Sequence, residues 1–143
     1  DNWDELYTQT AIYAGDTPIS FSPSFMGNSL IGFNYKGFDA SLQSQYVSRQ
    51  YLDNFGLKEN SLDPSFVSHL SLAYSFKLPS VKQITVGATI YNLFNTKYET
   101  NGYSQNAAVY EGGDKNQKAV LSYDPRFYPM AGTNVLAHIA IRF

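Results

Sequence analysis

The chain has 143 residues, 43% of them hydrophobic and only 15% charged, and carries a net charge of -2. A balance this close to neutral, with no strongly basic segment, excludes tight electrostatic binding to nucleic acid. With no cysteine there is no disulfide framework and no thiolate chemistry, and no apolar run approaches the ~18 residues of a transmembrane helix.

Twelve Tyr and ten Phe stand against a single Trp. So many amphipathic rings belong in a core, at a protein interface or at a membrane boundary.

The opening residues Asp1-Asn2-Trp3-Asp4-Glu5 lack the basic and apolar regions of an export signal. The first alternating run sets Ser29, Ile31, Phe33 and Tyr35 against Asn28, Leu30, Gly32 and Asn34. Tyr35-Lys36-Gly37-Phe38 then reads as a tight turn, with glycine free to take positive φ. From Phe38 to Tyr51, Phe38, Ala40, Leu42 and Tyr46 oppose Asp39, Ser41, Gln43, Gln45 and Arg49. That second face is too polar for a folded core. Residues 52–65, with Asp53, Asn54, Gly56, Asn60 and Pro64, read as a long link.

Phe66 to Phe76 places Phe66, Leu70, Leu72, Tyr74 and Phe76 on one face, interrupted by Ser68. Val67, His69, Ser71, Ala73 and Ser75 lie opposite. A short link at 77–82 leads to Ile84, Val86, Ala88 and Ile90, opposed by Thr85, Gly87 and Thr89. The longest link runs from Asn95 to about Gly132. The last run sets Val135, Ala137, Ile139, Ile141 and Phe143 against Leu136, His138, Ala140 and Arg142.

Alternation with no helical period predicts an all-β fold. Ten-residue strands joined by alternating short and long links point to an antiparallel up-and-down transmembrane β-barrel in the outer membrane of a Gram-negative cell. Strands of about ten residues at ~3.3 Å each, tilted ~40°, cover the ~25 Å apolar band. With Phe143 at the periplasmic end, parity puts 35–38 and 77–82 on the periplasmic side and 52–65 and 95–132 outside. Residues 1–22 become an extracellular loop segment and 23–143 the C-terminal strands of the barrel. About five strands cannot close a barrel, which needs at least ~8. The expectation is therefore one part of a larger barrel.

Four elements resemble TonB-dependent outer-membrane receptors. Tyr91-Asn92-Leu93-Phe94-Asn95-Thr96-Lys97-Tyr98 is similar to that family's "NLFN-x-KY" signature. Tyr46-Val47-Ser48-Arg49-Gln50-Tyr51-Leu52-Asp53-Asn54 resembles a strand end of the family. Phe21-Ser22-Pro23 resembles the entry to the preceding strand. Tyr128-Pro129-Met130-Ala131-Gly132 resembles its "YP-x-x-GR" element, with Thr133 in place of the usual Arg.

The resemblance implies active import of a scarce nutrient, an iron-siderophore, haem or cobalamin, with no enzymatic activity and no resident cofactor. It implies outer-membrane lipid around the strands, a plug domain and further strands, the TonB complex as energy source, and a small-molecule ligand. It also implies that Phe143 forms part of the signal read by the barrel-assembly machinery.

In such a receptor the loop aromatics Tyr103, Tyr110, Tyr123 and Tyr128, with Arg126, are candidate ligand contacts, as is Arg49. Tyr rings beside an Arg suit sugars, aromatic chelates or anionic siderophores. The competing readings are an interfacial aromatic girdle for the tyrosines and a carboxylate partner for Arg49.

His69 and His138 share the polar face, roughly 10 Å apart by strand spacing, and read as lumen-lining residues. Ser71, His69 and Asp39 carry no nucleophile signature. Glu111-Gly112-Gly113-Asp114 lacks the spaced oxygen ligands of a calcium loop. A soluble all-β module binding a ligand or carbohydrate is the alternative function; it requires a second layer against one strand face.

Overall fold

A computed structural model describes residues 16–110 and 119–143, and the side-chain surroundings of all these except 106–110, 119 and 121. The chain is all-β and antiparallel. Its strands are β1 (Met26–Tyr35), β2 (Phe38–Val47), β3 (Gln50–Tyr51), β4 (Ser61–Leu62), β5 (Ser65–Leu78), β6 (Val81–Tyr91), β7 (Glu99–Tyr110), β8 (Ala119–Pro129) and β9 (Asn134–Arg142). Five form one sheet in the order β1-β2-β5-β6-β9. β3 pairs with β4, and β7 with β8. The described strands close no barrel, and no described helix is long and apolar enough to cross a membrane, which leaves strands that cross one untouched.

The β1–β2 turn forms as its sequence predicts. Lys36 (φ 46) and Gly37 (φ 85) both take positive φ, the backbone of a type I′ hairpin turn. This sets Tyr35 opposite Phe38 and carries the register through to Met26 opposite Val47. Gly37 is also needed for space. A Cβ there would lie 2.4 Å from the Ser75 carbonyl oxygen of β5, and Ser75 N–H donates to Gly37 O at 2.7 Å.

Cross-strand register decides which residues share a face. One row runs Asn34–Asp39–Ala73–Gly87–His138 and another Leu42–Leu70–Ile90–Val135. The alternation therefore continues across all five strands. One face carries Asp39, Gln43, His69, Thr89 and His138. The other carries Ile31, Leu42, Leu72, Val86 and Ile139.

Among the described residues that apolar face has no second layer. Ile31 is 64% exposed and Ile139 69%. Among the described residues the buried apolar side chains are Leu52, Leu62 and Val67 alone. Aromatic pairs bracket the face. Tyr46 lies opposite Phe66 at its loop end, and Phe38 opposite Tyr74 at its turn end. Eight residues separate the pairs along each strand, ~26 Å of chain or ~20 Å after a 40° tilt. Phe25 packs on Tyr46 with centroids 6.0 Å apart, and Tyr74 stacks on Phe76 at 5.9 Å. Ser68, the polar interruption of this face, is 1% exposed and shares a 2.8 Å hydroxyl contact with Ser44.

Three sequence expectations change. The strand expected over 38–51 stops at Val47. There Ser48 N–H donates to Phe25 O at 3.0 Å, Ser48 Oγ accepts from Phe25 N–H, and the chain leaves the sheet. The links 52–65 and 95–132 are not structureless. The first holds a 3-10 turn, Lys58–Asn60, and β4; the second holds the β7–β8 ribbon. By register each face of that ribbon mixes polar with aromatic or apolar residues, Gln105 and Asp124 beside Tyr103 on one and Ser104 beside Phe127 and Tyr123 on the other, so it carries no clean alternating signal. Its backbone pairing holds it without one. Residues 1–15 and 111–118 lie outside the described residues, and with them most of the segment 1–22 and the Glu111–Asp114 stretch.

Candidate functional site

The buried side chains sit mostly at the loop end of the sheet. Two assemblies hold that end together, and both position the candidate ligand residues.

The first is built on Asn92, just past β6. It is 2% exposed and adopts φ +50, a left-handed conformation that Asn tolerates better than most residues. Its side-chain amide donates to Thr96 O at 2.9 Å and Ala131 O at 3.1 Å, and its Oδ1 accepts from Thr96 N–H at 2.9 Å. Its backbone N–H donates to His69 Nδ1 at 3.0 Å, and its carbonyl accepts from Thr133 Oγ1 at 2.6 Å. Leu93 N–H donates to Ser68 O at 2.8 Å. Asn95 (φ 53) accepts from Thr133 N–H at 3.1 Å, with Gly132 leaving room for its Oδ1. One short stretch therefore ties the end of β6 to β5 and to the entry of β9. Sequence reading singled out this stretch by resemblance; the hydrogen bonds explain why Asn stands at both its ends. Thr133 makes two of the contacts.

The second assembly joins the two long links. Leu52 N–H donates to Asn60 O at 2.9 Å, and Asn60 Nδ2 donates to Asp53. Ser61 Oγ donates to Lys58 O at 2.6 Å. Arg49 donates to Ser61 Oγ at 2.7 Å and pairs with Asp63 at 2.6 Å. Arg49 is thus committed to the fold of its own loop, the carboxylate-paired reading. The β7–β8 ribbon leans on this loop: a Cβ on Gly102 would meet Leu52 Cδ2 at 3.3 Å and Phe127 Cδ1 at 3.2 Å. Asn60 Oδ1 is buried and accepts nothing among the described residues.

The ribbon divides the other candidates. Register places Tyr103 opposite Arg126, Asn101 opposite Tyr128 and Gln105 opposite Asp124, all on one face. The Tyr103 and Tyr128 rings lie 6.2 Å apart, and Arg126 pairs with Asp124 at 3.0 Å. That bond, then the Asp124 charge, raises the Arg126 pKa further. Tyr110 and Tyr123 belong by register to the opposite face, and the Tyr110 side chain is outside the description. Burial raises the Tyr123 pKa first, followed by the charges of Asp53 and Glu59. Tyr123 therefore faces the neighbouring loop. The six candidates do not form one site: Tyr103, Arg126 and Tyr128 come together, while Tyr123 and Arg49 belong to the loop junction. Asp124, which neutralises Arg126, went unnoticed in the sequence although it lies two residues away. Phe143 is 80% exposed.

The polar face of the sheet carries two depressions. One, of about 440 Å³, is lined by Gly32, Asn34, Asp39, Ser71, Thr89 and His138 among others. Asp39 is bonded to Asn34, and Ser71 shares a hydroxyl contact with Thr89 at 3.1 Å. With His69 held by Asn92, the three groups Asp39, His69 and Ser71 are each engaged elsewhere. The other, of about 390 Å³, is lined by His69, Tyr91, Tyr98, Met130, Ala131 and Asn134. The histidines lie farther apart than strand spacing alone predicts. His138 is level with Ala73, four residues along β5 from His69, which with two strand spacings gives ~16 Å. No cluster of three or more His, Asp or Glu able to hold a metal occurs among the described residues.

No protein family, curated protein or solved structure matches this chain.

Proposed function

We propose that the chain is the C-terminal barrel portion of a TonB-dependent transporter in a Gram-negative outer membrane, importing a scarce nutrient such as an iron-siderophore, haem or cobalamin. The observation that carries this reading is the uncovered apolar face with aromatic pairs at both ends. In water such a face would drive association. In a bilayer it is the lipid-facing wall, and the aromatic pairs fall where interfacial girdles belong. The opposite face, rich in hydroxyl, amide and imidazole groups, suits a water-filled lumen.

The rest of the reading follows from open edges. Among the described residues, β1 and β9 each leave one row of backbone groups unpaired in the five-strand sheet, and lipid cannot satisfy such rows. Further strands from the same receptor would pair with them. The resemblance at Asn92–Tyr98 supports the choice of receptor class.

A cysteine-free chain makes the test direct. Single cysteines are introduced along β9 in membrane-embedded protein and exposed to a membrane-impermeant thiol reagent. Leu136→Cys, His138→Cys and Ala140→Cys should react, while Ala137→Cys, Ile139→Cys and Ile141→Cys should be protected. Equal labelling at both sets, or a protein that stays monodisperse without detergent, would sink the transmembrane reading and favour a soluble module.

A further inference from the structure

We propose that the depression bounded by His69, Tyr91, Tyr98, Met130 and Asn134 is a contact site for the imported ligand, and that it takes an oxygen acceptor on an aromatic ring rather than an iron atom with an open coordination position. The inference rests on the transporter reading and narrows its ligand class.

Register puts His69, Tyr91 and Asn134 side by side on three neighbouring strands, all on the polar face at its loop end. Tyr98 and Met130 come from the base of the β7–β8 ribbon, where Met130 N–H donates to Tyr98 O at 3.0 Å. The lining therefore has aromatic and thioether walls with a few polar groups converging on about 390 Å³, the usual composition of a small-molecule site. None of the lining residues carries a formal charge with its histidine neutral.

The histidine's tautomer follows from its partner. The Asn92 backbone N–H donates to His69 Nδ1 at 3.0 Å. Nδ1 must then carry the lone pair, and in the neutral ring the proton sits on Nε2. The Tyr91 ring, edge-on at 5.5 Å and 62°, holds the imidazole plane. Nε2 has no hydrogen-bond partner among the described residues, and neither do the Tyr91 and Tyr98 hydroxyls.

An imidazole that binds iron through Nε2 needs its lone pair there, with Nδ1–H donating outward. Moving the proton to Nδ1 would set it against the Asn92 N–H, which cannot accept. His69 is thus built as a donor. With its aromatic walls, the site suits a catecholate or phenolate oxygen on a chelate whose metal is already saturated. Axial ligation of haem does not fit it.

The test uses protein extracted from outer membranes into detergent, with a ferric tris-catecholate and haemin as probes. The tris-catecholate should quench tyrosine fluorescence saturably. His69→Ala should weaken it about tenfold, the loss of one hydrogen bond to an anionic oxygen. His69→Gln, which can keep an N–H near the Nε2 position, should stay within about threefold by the same reckoning. The haemin Soret band should be the same with and without His69. Nitrogen-15 spectra should place the His69 proton on Nε2.

A His69-dependent Soret shift, equal binding by the Ala and Gln variants, or a proton on Nδ1 would each overturn the proposal, as would failure of the tris-catecholate to bind. Absence of the protein from outer-membrane fractions refutes the transporter reading instead. The nitrogen spectrum of the purified protein still decides the tautomer in that event.

Discussion

Replacing Asn92 tests a buried side chain that makes three hydrogen bonds. Asn92→Ala removes three side-chain contacts, to Thr96 O, Thr96 N–H and Ala131 O, in a site only 2% exposed. A net hydrogen bond contributes about 0.5–1.5 kcal/mol, and a buried group left unpaired costs about 1–3 kcal/mol. Water reaching the vacated space recovers part of that, so about 2–4 kcal/mol is expected from the contacts. The backbone adds its own component. At φ +50 a residue with a Cβ and no polar side chain pays about 1 kcal/mol more than glycine.

The series therefore has a predicted order. Asn92→Ala should lose about 3–5 kcal/mol and Asn92→Gly about 1 kcal/mol less. Asn92→Asp keeps the acceptor for Thr96 N–H but turns its second oxygen on two carbonyls, so it should be no better than Ala. Urea unfolding of the folded protein in detergent, followed by near-ultraviolet circular dichroism, gives these differences. An Ala variant within 0.5 kcal/mol of wild type, on the usual scale of a surface substitution, would refute the account of this stretch as the fastening between β6 and β9. So would a Gly variant less stable than Ala.

Gly37 and Tyr123 offer independent checks. Gly37→Ala meets both a φ of 85 and the Ser75 carbonyl 2.4 Å from the new Cβ, so a loss of more than about 2 kcal/mol is expected by the same urea assay, whereas Lys36→Asn should be neutral or stabilising because Asn-Gly is the preferred I′ pair. The Tyr123 pKa is raised above 10.0 by burial and by Asp53 and Glu59. The folded state therefore holds this proton more tightly than the unfolded chain. The resulting stability is fully present below the ordinary tyrosine value and is lost as pH climbs through the folded one. An ultraviolet absorbance titration should show Tyr123→Phe deleting a late-titrating component; deletion of an early component would contradict contact between β8 and the Asp53 loop.

The sheet was legible because its two faces differ in polarity. Where one face is apolar and the other polar, period-two alternation survives in the sequence, and a slip of one residue would invert every side chain. That is why the rows from Asn34 to His138 fall where the pattern puts them. The turn at Lys36-Gly37 was legible for a separate reason, a backbone requirement that few residues meet.

The ribbon Glu99–Tyr110 with Ala119–Pro129 met neither condition. Asn101, Gln105, Ser122 and Asp124 share a face with Tyr103 and Tyr128, so no alternation marks it as a strand pair. The candidate site suffered from the same gap. Tyr103, Arg126 and Tyr128 could be sorted from Tyr123 only once the register was known, and Arg49 could be assigned to Asp63 only once the Asp53–Leu62 loop was folded.

Asn92 shows how a short motif can be noticed without its reason. Its neighbours in sequence are ordinary strand-end residues, while its partners Ala131 and Thr133 are about forty residues away. Such a long-range bond leaves no periodic trace, so the stretch stood out in the sequence only through resemblance. In the fold its consequence reaches the polar face: Asn92 holds the β9 entry with its side chain and carbonyl, and His69 with its N–H. The same residue that fastens the strands also sets the tautomer of the histidine in the neighbouring depression. Fold and candidate chemistry at this end of the sheet are therefore not separable, and substitutions at Asn92 that relax its backbone should change both.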